Sequence, residues 1–282
     1  MTDEVGKSQI LQSLSYHLNA KGLSALTEEH YCQALRRFME WMDGEKIPSL
    51  SAVRQGDIER YMTELRGRRL RPATIRYQFS GLQAVFKWHA SREGYASPMA
   101  GMESPKVPES VKDVVDIPDL KRVIDTVFRR QRYRDAALIA LLAETGMRIS
   151  EALKLQWRDV DWKAMVITVA DTKNGYARRV PFSPGLAEKL DILRGAGKDK
   201  GVPLFVSQKG NSLTRSGAEQ MIRKTFTEQG IPGISPHDLR HTMATKFMDA
   251  NPHGHHILKA IGGWRSDSMV QRYSRKGEAE RA

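Results

Sequence analysis

The first third of the chain repeats apolar positions with the period of an α-helix. Tyr31, Leu35, Phe38 and Met42 recur at intervals of four, three and four residues, which places them on one face of a helix. Pro72 begins another such segment, where the first turn of a helix tolerates the missing N–H. The pattern predicts helices over Ser8–Ala20, Thr27–Met42, Gln55–Arg66 and Pro72–Arg92. We therefore expect this half to be all-helical.

The remainder of the chain has a mixed pattern. The β-branched run Met165–Val169 and the segment Arg178–Phe182 flank Asn174-Gly175, a dipeptide typical of a tight hairpin turn. Around this predicted hairpin the apolar spacing is helical over Pro118–Phe128, Tyr133–Glu144, Ser150–Leu155, Thr214–Gln229, Pro236–Asp249, His255–Ile261 and Asp267–Arg275. We expect a small antiparallel sheet among mainly α-helical elements.

A proline-rich segment separates these two patterns. Prolines recur at positions 98, 105, 108 and 118 among small and charged residues, which is typical of an extended linker. A chain of 282 residues is long enough for two domains. The sequence predicts a linker over about residues 95–118, between a first domain of residues 1–107 and a second of residues 108–282.

The excess of basic residues indicates which kind of partner the protein binds. With 45 Lys plus Arg against 33 Asp plus Glu, the formal charge is +12 and the pI about 9.8, as expected of a protein that binds a polyanion. Nucleic acid is the first candidate and an acidic membrane surface the alternative. The longest apolar run, Ala136–Ala143, has eight residues, against the roughly 18–20 of a spanning helix. With no signal-peptide pattern at the N-terminus, we expect a soluble, cytoplasmic, nucleoid-associated protein.

Basic residues cluster in both halves. The first cluster lies on a turn and the start of the following predicted helix: Arg66, Arg68, Arg69, Arg71 and Arg76. Such a helix end could meet the phosphate backbone or enter a major groove, although charge runs are more often solvated surface. Arg178 and Arg179 mark a second basic patch. Two basic halves joined by a linker suggest a clamp around a DNA duplex.

Candidate chemistry concentrates on Tyr273, Arg148, Arg240 and His237. A phenol can attack phosphorus and hold the product as an ester, while two guanidinium groups neutralise the phosphate oxygens as charge builds. Only about one phenol in a thousand is ionised at neutral pH, so attack needs a base or a positive site. His237 and Arg240, three residues apart in a predicted helix, share a face. The set predicts phosphodiester transfer that needs no metal.

Two further side chains extend this candidate site. Lys173, one residue before the Asn174-Gly175 turn, could protonate the leaving 5′ oxygen from a hairpin tip; alternatively it protects an edge strand. Trp264 carries an indole N–H, which can only donate and therefore suits a phosphate oxygen. Alternatively, Trp264 is an ordinary core residue.

The order and context of these residues resemble the tyrosine recombinases, also called phage integrases: Arg148 with Glu151, then Lys173, His237, Arg240, Trp264 and Tyr273. Gly262-Gly263 directly before Trp264, with the tyrosine nine residues later, is similar to the Cre-like variant. Most family members have histidine where this chain has Trp264. The resemblance covers nearly the whole chain and implies an all-helical, DNA-clamping core-binding domain, a linker and a mixed catalytic domain.

The resemblance also implies a role for each site residue. Arg148 and Arg240 would clamp the scissile phosphate, and Tyr273 would be the nucleophile of a 3′-phosphotyrosyl intermediate. Lys173 would act as general acid, and His237 would assist proton transfer and positioning.

Three supporting roles complete the implied site. Trp264 would donate to the phosphate, while Glu151 and His241 would support the residues that touch it. The implied partner is double-stranded DNA, bound in a synaptic assembly of four protomers, with accessory DNA-bending proteins as candidate partners.

Some of these residues also fit other classes of function. His237 and His241 have the spacing of a zinc-binding helix, but Asp238 replaces the glutamate of that motif and Arg240 would repel a cation. The single cysteine, Cys32, excludes an internal disulfide. We expect no cofactor and no metal. A type IB topoisomerase, which shares this chemistry but relaxes supercoils as a monomer, and a non-catalytic DNA-binding regulator remain the alternatives.

Overall fold

Two separately packed units make up the chain, Met1–Ser110 and Val111–Ala282, and each has its own apolar core. The computed structural model describes residues 2–108, 114–170, 177–195, 201–207, 209–264, 266–271 and 273, with side chains from residue 6 onward. Within these ranges, no helix combines the length and the apolar composition that crossing a membrane requires.

The first unit is helical, and local chemistry explains its helix ends. Its helices are α1 (Thr2–Ala20), α2 (Ala25–Gly44), α3 (Gln55–Gly67) and α4 (Pro72–Glu93), with a short 3-10 turn at Leu50–Ala52. The Ser24 side chain accepts a hydrogen bond from the Thr27 backbone N–H at the start of α2, as N-cap residues do. Pro72 lies in the first turn of α4, and Gly94 ends that helix in the left-handed conformation. The prediction of an all-helical N-terminal half is confirmed.

The predicted apolar face of α2 lies in the core of this unit. Phe38 contacts Tyr61 of α3 and Phe86 of α4 edge-on, with ring centroids 5.0 and 5.6 Å apart, an arrangement that aromatic pairs prefer. Met99, inside the predicted linker, is also buried in this core. The first part of the predicted linker therefore packs with the first unit.

The second unit surrounds a small antiparallel sheet with helices. Its described helices include α5 (Ile117–Arg129), α6 (Tyr133–Thr145), α7 (Ile149–Ala152), α8 (Pro184–Arg194), α9 (Arg215–Glu228), α10 (Pro236–Ala250) and α11 (His255–Gly262). Its strands are β1 (Val160–Asp161), β2 (Val166–Ala170) and β3 (Ala177–Pro181), in the order β1-β2-β3, with Ile167 opposite Val180. Residues 267–271 and 273 are helical as well. The predicted mixed, mainly α-helical domain with an antiparallel sheet is confirmed.

Helix α6 lies in the core of the second unit, and the segment that follows it contains Arg148 of the candidate site. Its apolar residues 136–142 are buried, as expected for a helix that is hydrophobic on all sides. It ends before Gly146, which has a φ of +59°, a backbone conformation that favours glycine, and which lies next to the end of the Met243 side chain on α10. Glycine at this position therefore lets the chain turn into the Arg148 segment beside α10.

Helix α8 and strand β1 are absent from the sequence prediction. The Ser183 hydroxyl starts α8 by accepting from the Leu186 backbone N–H at 3.2 Å, but the fully buried apolar positions of that helix are only Leu186 and Leu190. Strand β1 has two residues, which is too short for an alternating pattern. Helix α7 ends earlier than predicted: the N–H groups of Lys154 and Leu155 bond only three residues back, to the carbonyls of Glu151 and Ala152 at 3.1 and 3.3 Å, and the Leu155 carbonyl accepts from the Leu204 N–H at 2.9 Å.

Candidate active site

Arg148 begins α7 and is held there by Glu151. The Glu151 carboxylate accepts from the backbone N–H of Arg148 at 2.8 Å and from its Nη1 at 2.9 Å. This capping arrangement, three residues apart, satisfies an N-terminal backbone donor of the short helix. The side chain of Arg148 nevertheless remains 45% exposed, so its remaining donors can meet a ligand.

Arg240 of α10 is buried, with 4% of its surface exposed. Its Nη1 donates to the Gly146 carbonyl and its Nη2 to the Gly262 carbonyl at 2.9 Å. These acceptors lie at the C-terminal ends of α6 and α11, where the helix dipoles are negative and stabilise a cation. Burial, with the nearby Arg148 charge, lowers the pKa of Arg240 to about 10, which still leaves it protonated at neutral pH.

The last turn of α11 accepts hydrogen bonds from three arginines. The carbonyls of Ile261, Gly262 and Gly263 accept in order from Arg178 Nε at 2.8 Å, Arg240 Nη2 at 2.9 Å and Arg148 Nη2 at 3.2 Å. The end of a helix leaves carbonyls without intrahelical partners, so this turn supplies acceptors at a regular spacing. We call these three oxygens the α11 carbonyl row.

Arg178 of β3 also binds Glu151 with both of its terminal nitrogens. Nη1 donates to Oε1 at 3.2 Å and Nη2 to Oε2 at 2.7 Å. Burial would raise the pKa of Glu151, but the hydrogen bonds from Arg178 and Arg148 outweigh it and hold the pKa below its usual value. With 14% of its side chain exposed, Arg178 faces the protein interior, whereas Arg179 beside it points to solvent.

Tyr273 packs in an aromatic group beside these arginines. It is 7% exposed and Trp264 is 8% exposed. The Tyr273 ring lies 5.1 Å from that of His241 and 5.5 Å from that of Trp264, centroid to centroid. Its phenol acts to raise the pKa of Arg240, against the larger lowering by burial. His237 lies exposed in the first turn of α10. The structure therefore brings together Tyr273, Trp264, His241 and the buried guanidinium of Arg240.

Gly262 lies directly beneath the Trp264 ring. A Cβ at Gly262 would lie 1.7 Å from Cζ3 of Trp264, a distance that no side chain tolerates. The tryptophan ring also lies over Arg240, whose Cζ is 3.9 Å from the ring centroid. The glycine thus allows the indole to lie flat between α11 and the guanidinium.

The remaining predicted residues are Lys173 and the arginine cluster of the first unit. Lys173 falls outside the described residues, as does the Asn174-Gly175 turn. In the first unit, the basic cluster lies exposed around the turn between α3 and α4, and it comprises Arg66, Arg68, Arg69, Arg71 and Arg76. Within the described ranges, no three His, Cys, Asp or Glu side chains form a group suited to holding a metal ion.

Two features of this site are not apparent from the sequence. The α11 carbonyl row leaves no mark there, because every residue carries a carbonyl and no side chain marks the ones that matter. Arg178 is predicted to bind DNA, whereas its hydrogen bonds in the structure are to Glu151 and Ile261. The alternation of β3, which turns Arg178 and Arg179 to opposite faces, was the available signal.

Comparison with known proteins gives matches across both units. Residues 114–280 match the phage integrase family, and residues 10–94 match the N-terminal SAM-like domain of phage integrases. Tyrosine recombinase XerC of Roseiflexus castenholzii is 26% identical over 255 residues, covering 86% of this chain and 81% of the relative. Tyrosine recombinase XerA of Pyrococcus furiosus is 26% identical over 278 residues, covering 98% and 92%.

A solved structure shares the fold. The XerH site-specific recombinase bound to palindromic difH substrate, in a post-cleavage complex, superimposes with a TM-score of 0.75 at 19% identity, covering 95% of this chain and 81% of that chain. The family match alone spans more than half of the 282 residues. The chain belongs to the phage integrase family of tyrosine recombinases.

Proposed function

We propose that this recombinase cuts and rejoins DNA at specific sites through a covalent 3′-phosphotyrosyl intermediate on Tyr273. The observation that carries the proposal is the α11 carbonyl row, which holds Arg148 and Arg240 by adjacent carbonyls beside the aromatic group that contains Tyr273. Two preorganised guanidinium groups stabilise the charge that develops on phosphate oxygens during attack, and such donors are usually the largest single contribution to catalysis.

The proposed cleavage step conserves the energy of the phosphodiester bond. The Tyr273 Oη forms a bond to the scissile phosphorus while the bond from phosphorus to the 5′ oxygen breaks. The phenolic proton passes to His237 or to solvent, and the departing 5′ oxygen takes a proton from Lys173. The reverse attack by a 5′ hydroxyl on the phosphotyrosine rejoins a strand, so neither a nucleotide cofactor nor a metal is part of the proposal.

Arg148 and Arg240 would each donate hydrogen bonds to the scissile phosphate. Arg240 uses one donor from each terminal nitrogen on a backbone carbonyl, and each of those nitrogens carries a second N–H. Arg148 is more exposed and keeps its side chain on Glu151 and Gly263. We propose that both guanidinium groups are held in place before DNA binds, with Arg240 as the buried half of the clamp and Arg148 as the more exposed half.

Double-stranded DNA is the proposed partner, with the two units forming a clamp. The formal charge of +12 and the exposed arginines at the turn between α3 and α4 support phosphate contacts from the first unit. The XerH structure is bound to its difH substrate. Exchange between two duplexes breaks four strands and each protomer offers one Tyr273, so we propose four protomers, with accessory DNA-bending proteins as further partners on the nucleoid.

Recovery of covalently bound DNA tests this function. The chain is expressed in bacterial cells, denatured, and purified under conditions that remove non-covalent DNA, and the attached fragments are sequenced. Wild type is expected to carry fragments that share one sequence at their 3′ ends, and Tyr273→Phe to carry none. An adduct that persists in Tyr273→Phe would exclude this residue as the nucleophile.

Two copies of the recovered sequence on one supercoiled plasmid then separate recombination from the nearest alternative. Exchange between the two copies is the expected result. Relaxation of the plasmid without exchange would instead indicate a topoisomerase.

A further inference from the structure

Arg178 lies where β3, α7 and α11 meet, and each of its three guanidinium nitrogens donates to the protein. We infer that Arg178 is a positioning residue of the cleavage reaction, which sets the place of the Arg148 guanidinium through Glu151 and through the last turn of α11. This inference rests on the proposed function of Arg148 as a phosphate ligand.

The first route from Arg178 to Arg148 runs through the Glu151 carboxylate. Within the described part of the chain, Glu151 accepts two hydrogen bonds from Arg178 and two from Arg148, one of each pair on each oxygen. A carboxylate offers about four acceptor positions, so these bonds fill it. Because Arg178 grips both oxygens, it fixes the plane of the carboxylate and therefore the direction in which Arg148 is held.

The second route runs through the backbone of α11. Arg178 Nε donates to the Ile261 carbonyl at 2.8 Å, and its guanidinium lies so close to Gly263 that a Cβ there would be 2.9 Å from Nη1. The Gly263 carbonyl in turn accepts from Arg148 Nη2 at 3.2 Å. Arg178 thus supports both groups that hold the side chain of Arg148.

This arrangement argues against a direct DNA contact by Arg178. Only 14% of the Arg178 side chain is exposed, and three of its five N–H donors already serve Glu151 and Ile261. A phosphate that drew the guanidinium away would leave a half-buried carboxylate with fewer partners, and that costs free energy. Arg148 differs, because its side chain is 45% exposed. The geometry therefore favours a division in which Arg148 touches phosphate and Arg178 holds Arg148.

The test measures single-turnover cleavage of the DNA sequence recovered from the covalent adduct. Arg178→Met keeps an unbranched apolar stem and removes all three donor nitrogens. We expect cleavage to fall by up to about 100-fold, the effect of misplacing a reacting group by about 1 Å, while the affinity for the same DNA changes by less than about threefold, since the phosphate contacts of other residues remain. Arg132→Met is the matched control, since Arg132 also pairs with a buried carboxylate, that of Asp135, but contacts no member of the site in the described residues.

A double-mutant cycle with Glu151→Gln distinguishes positioning from general destabilisation. If Arg178 acts largely through Glu151, adding Arg178→Met to Glu151→Gln should lower cleavage much less than it does in wild type. Arg178→Lys, which keeps the charge but cannot grip both oxygens, provides the same comparison if Arg178→Met does not fold. Its loss is expected to be intermediate and to shrink in the same way.

The outcomes separate this inference from the function on which it rests. A wild-type chain that forms no Tyr273-dependent adduct contradicts both. A wild-type chain that cleaves, together with an Arg178→Met variant that cleaves equally fast, contradicts only the role of Arg178. Equal losses with and without Glu151 would contradict the route through that carboxylate, and a similar loss in Arg132→Met would assign Arg178 to stability alone.

Discussion

The guanidinium carbon of Arg240 lies 3.9 Å from the centroid of the Trp264 ring. Both residues are buried, so the attraction between the cation and the ring face acts in a largely desolvated setting, where it contributes about 2 kcal/mol. The ring contacts the guanidinium, while the carbonyls of Gly146 and Gly262 each accept from one of its terminal nitrogens. Trp264 therefore orients Arg240, in addition to any bond it makes to a phosphate.

Substitutions at Trp264 separate these two roles. Trp264→Phe keeps an aromatic face and loses the indole N–H, whereas Trp264→Leu loses both. If orientation of Arg240 matters, cleavage by Trp264→Leu should be roughly 5- to 30-fold slower than by Trp264→Phe, the equivalent of about 1–2 kcal/mol. Single-turnover rates on one DNA substrate provide the comparison. Equal rates for the two variants would leave only the N–H as the contribution of Trp264.

Removal of either clamp arginine should slow cleavage strongly. We expect Arg148→Ala and Arg240→Ala each to lower the rate by about 10²- to 10³-fold, as when one preorganised donor to a developing oxyanion is lost. Lysine should restore little at position 240, because an ammonium group cannot donate to Gly146 and Gly262 while keeping further donors in the same plane. A wild-type single-turnover rate in either alanine variant would remove that arginine from the clamp.

The proposed general acid can be tested with a modified substrate. If Lys173 protonates the leaving 5′ oxygen, Lys173→Ala should cleave ordinary DNA slowly but cleave DNA with a bridging 5′ sulfur almost as fast as wild type, because a thiolate leaves without a proton. EDTA should change neither rate. Equal impairment on both substrates would assign Lys173 to binding, and the acid would then be sought among other residues, with His237 next.

Gly262→Ala should disturb the site through sterics alone. The new Cβ would lie 1.7 Å from Cζ3 of Trp264, so the ring must move away from Arg240. Overpacking of this kind costs about 1–3 kcal/mol, and we expect a lower thermal unfolding midpoint, altered tryptophan fluorescence and slower cleavage. Gly56→Ala is the matched control, because it lies in α3 with nothing within 4 Å of its Cβ position. It should be neutral or stabilising.

Glu151 should make stability depend on pH. Its pKa in the folded chain lies below the usual value because the bonds from Arg178 and Arg148 outweigh burial. The carboxylate therefore stabilises the fold above the unfolded pKa of about 4.3, and this stabilisation is lost as the pH falls through the lower folded pKa. At pH 7, Glu151→Gln should lower the free energy of unfolding by about 1–3 kcal/mol. The variant should therefore unfold at a lower urea concentration than wild type.

That difference should shrink as the pH falls below about 4, where the wild-type carboxylate is progressively protonated. Urea unfolding of both proteins at pH 7 and pH 3.5 checks the trend. A difference that stays constant over this range would show that the charge of Glu151 does not contribute to stability.

Local patterns in the chain were sufficient for most of the fold. Leu35, Phe38 and Met42 share a helical face because of their spacing, and the structure buries all three. The β-branched run Met165–Val169 and the Asn174-Gly175 dipeptide likewise identified an antiparallel sheet. Helix α8 escaped prediction because two deeply buried positions, Leu186 and Leu190, give a weak periodic signal, and its start at Ser183 and Pro184 was the remaining cue.

The order of the site residues along the chain was enough to predict that Arg148, Arg240, Trp264 and Tyr273 act together, because the sequence specifies the chemistry of each side chain. The contacts that hold these residues in place could not be predicted, since they depend on backbone carbonyls that every residue possesses. Which carbonyls accept from an arginine is set by where α11 ends against α6, α10 and β3. The same packing makes Arg178 a partner of Glu151. Strand alternation separates the face of Arg178 from that of Arg179, but which face is covered depends on α7 and α11, which lie far from β3 in the sequence.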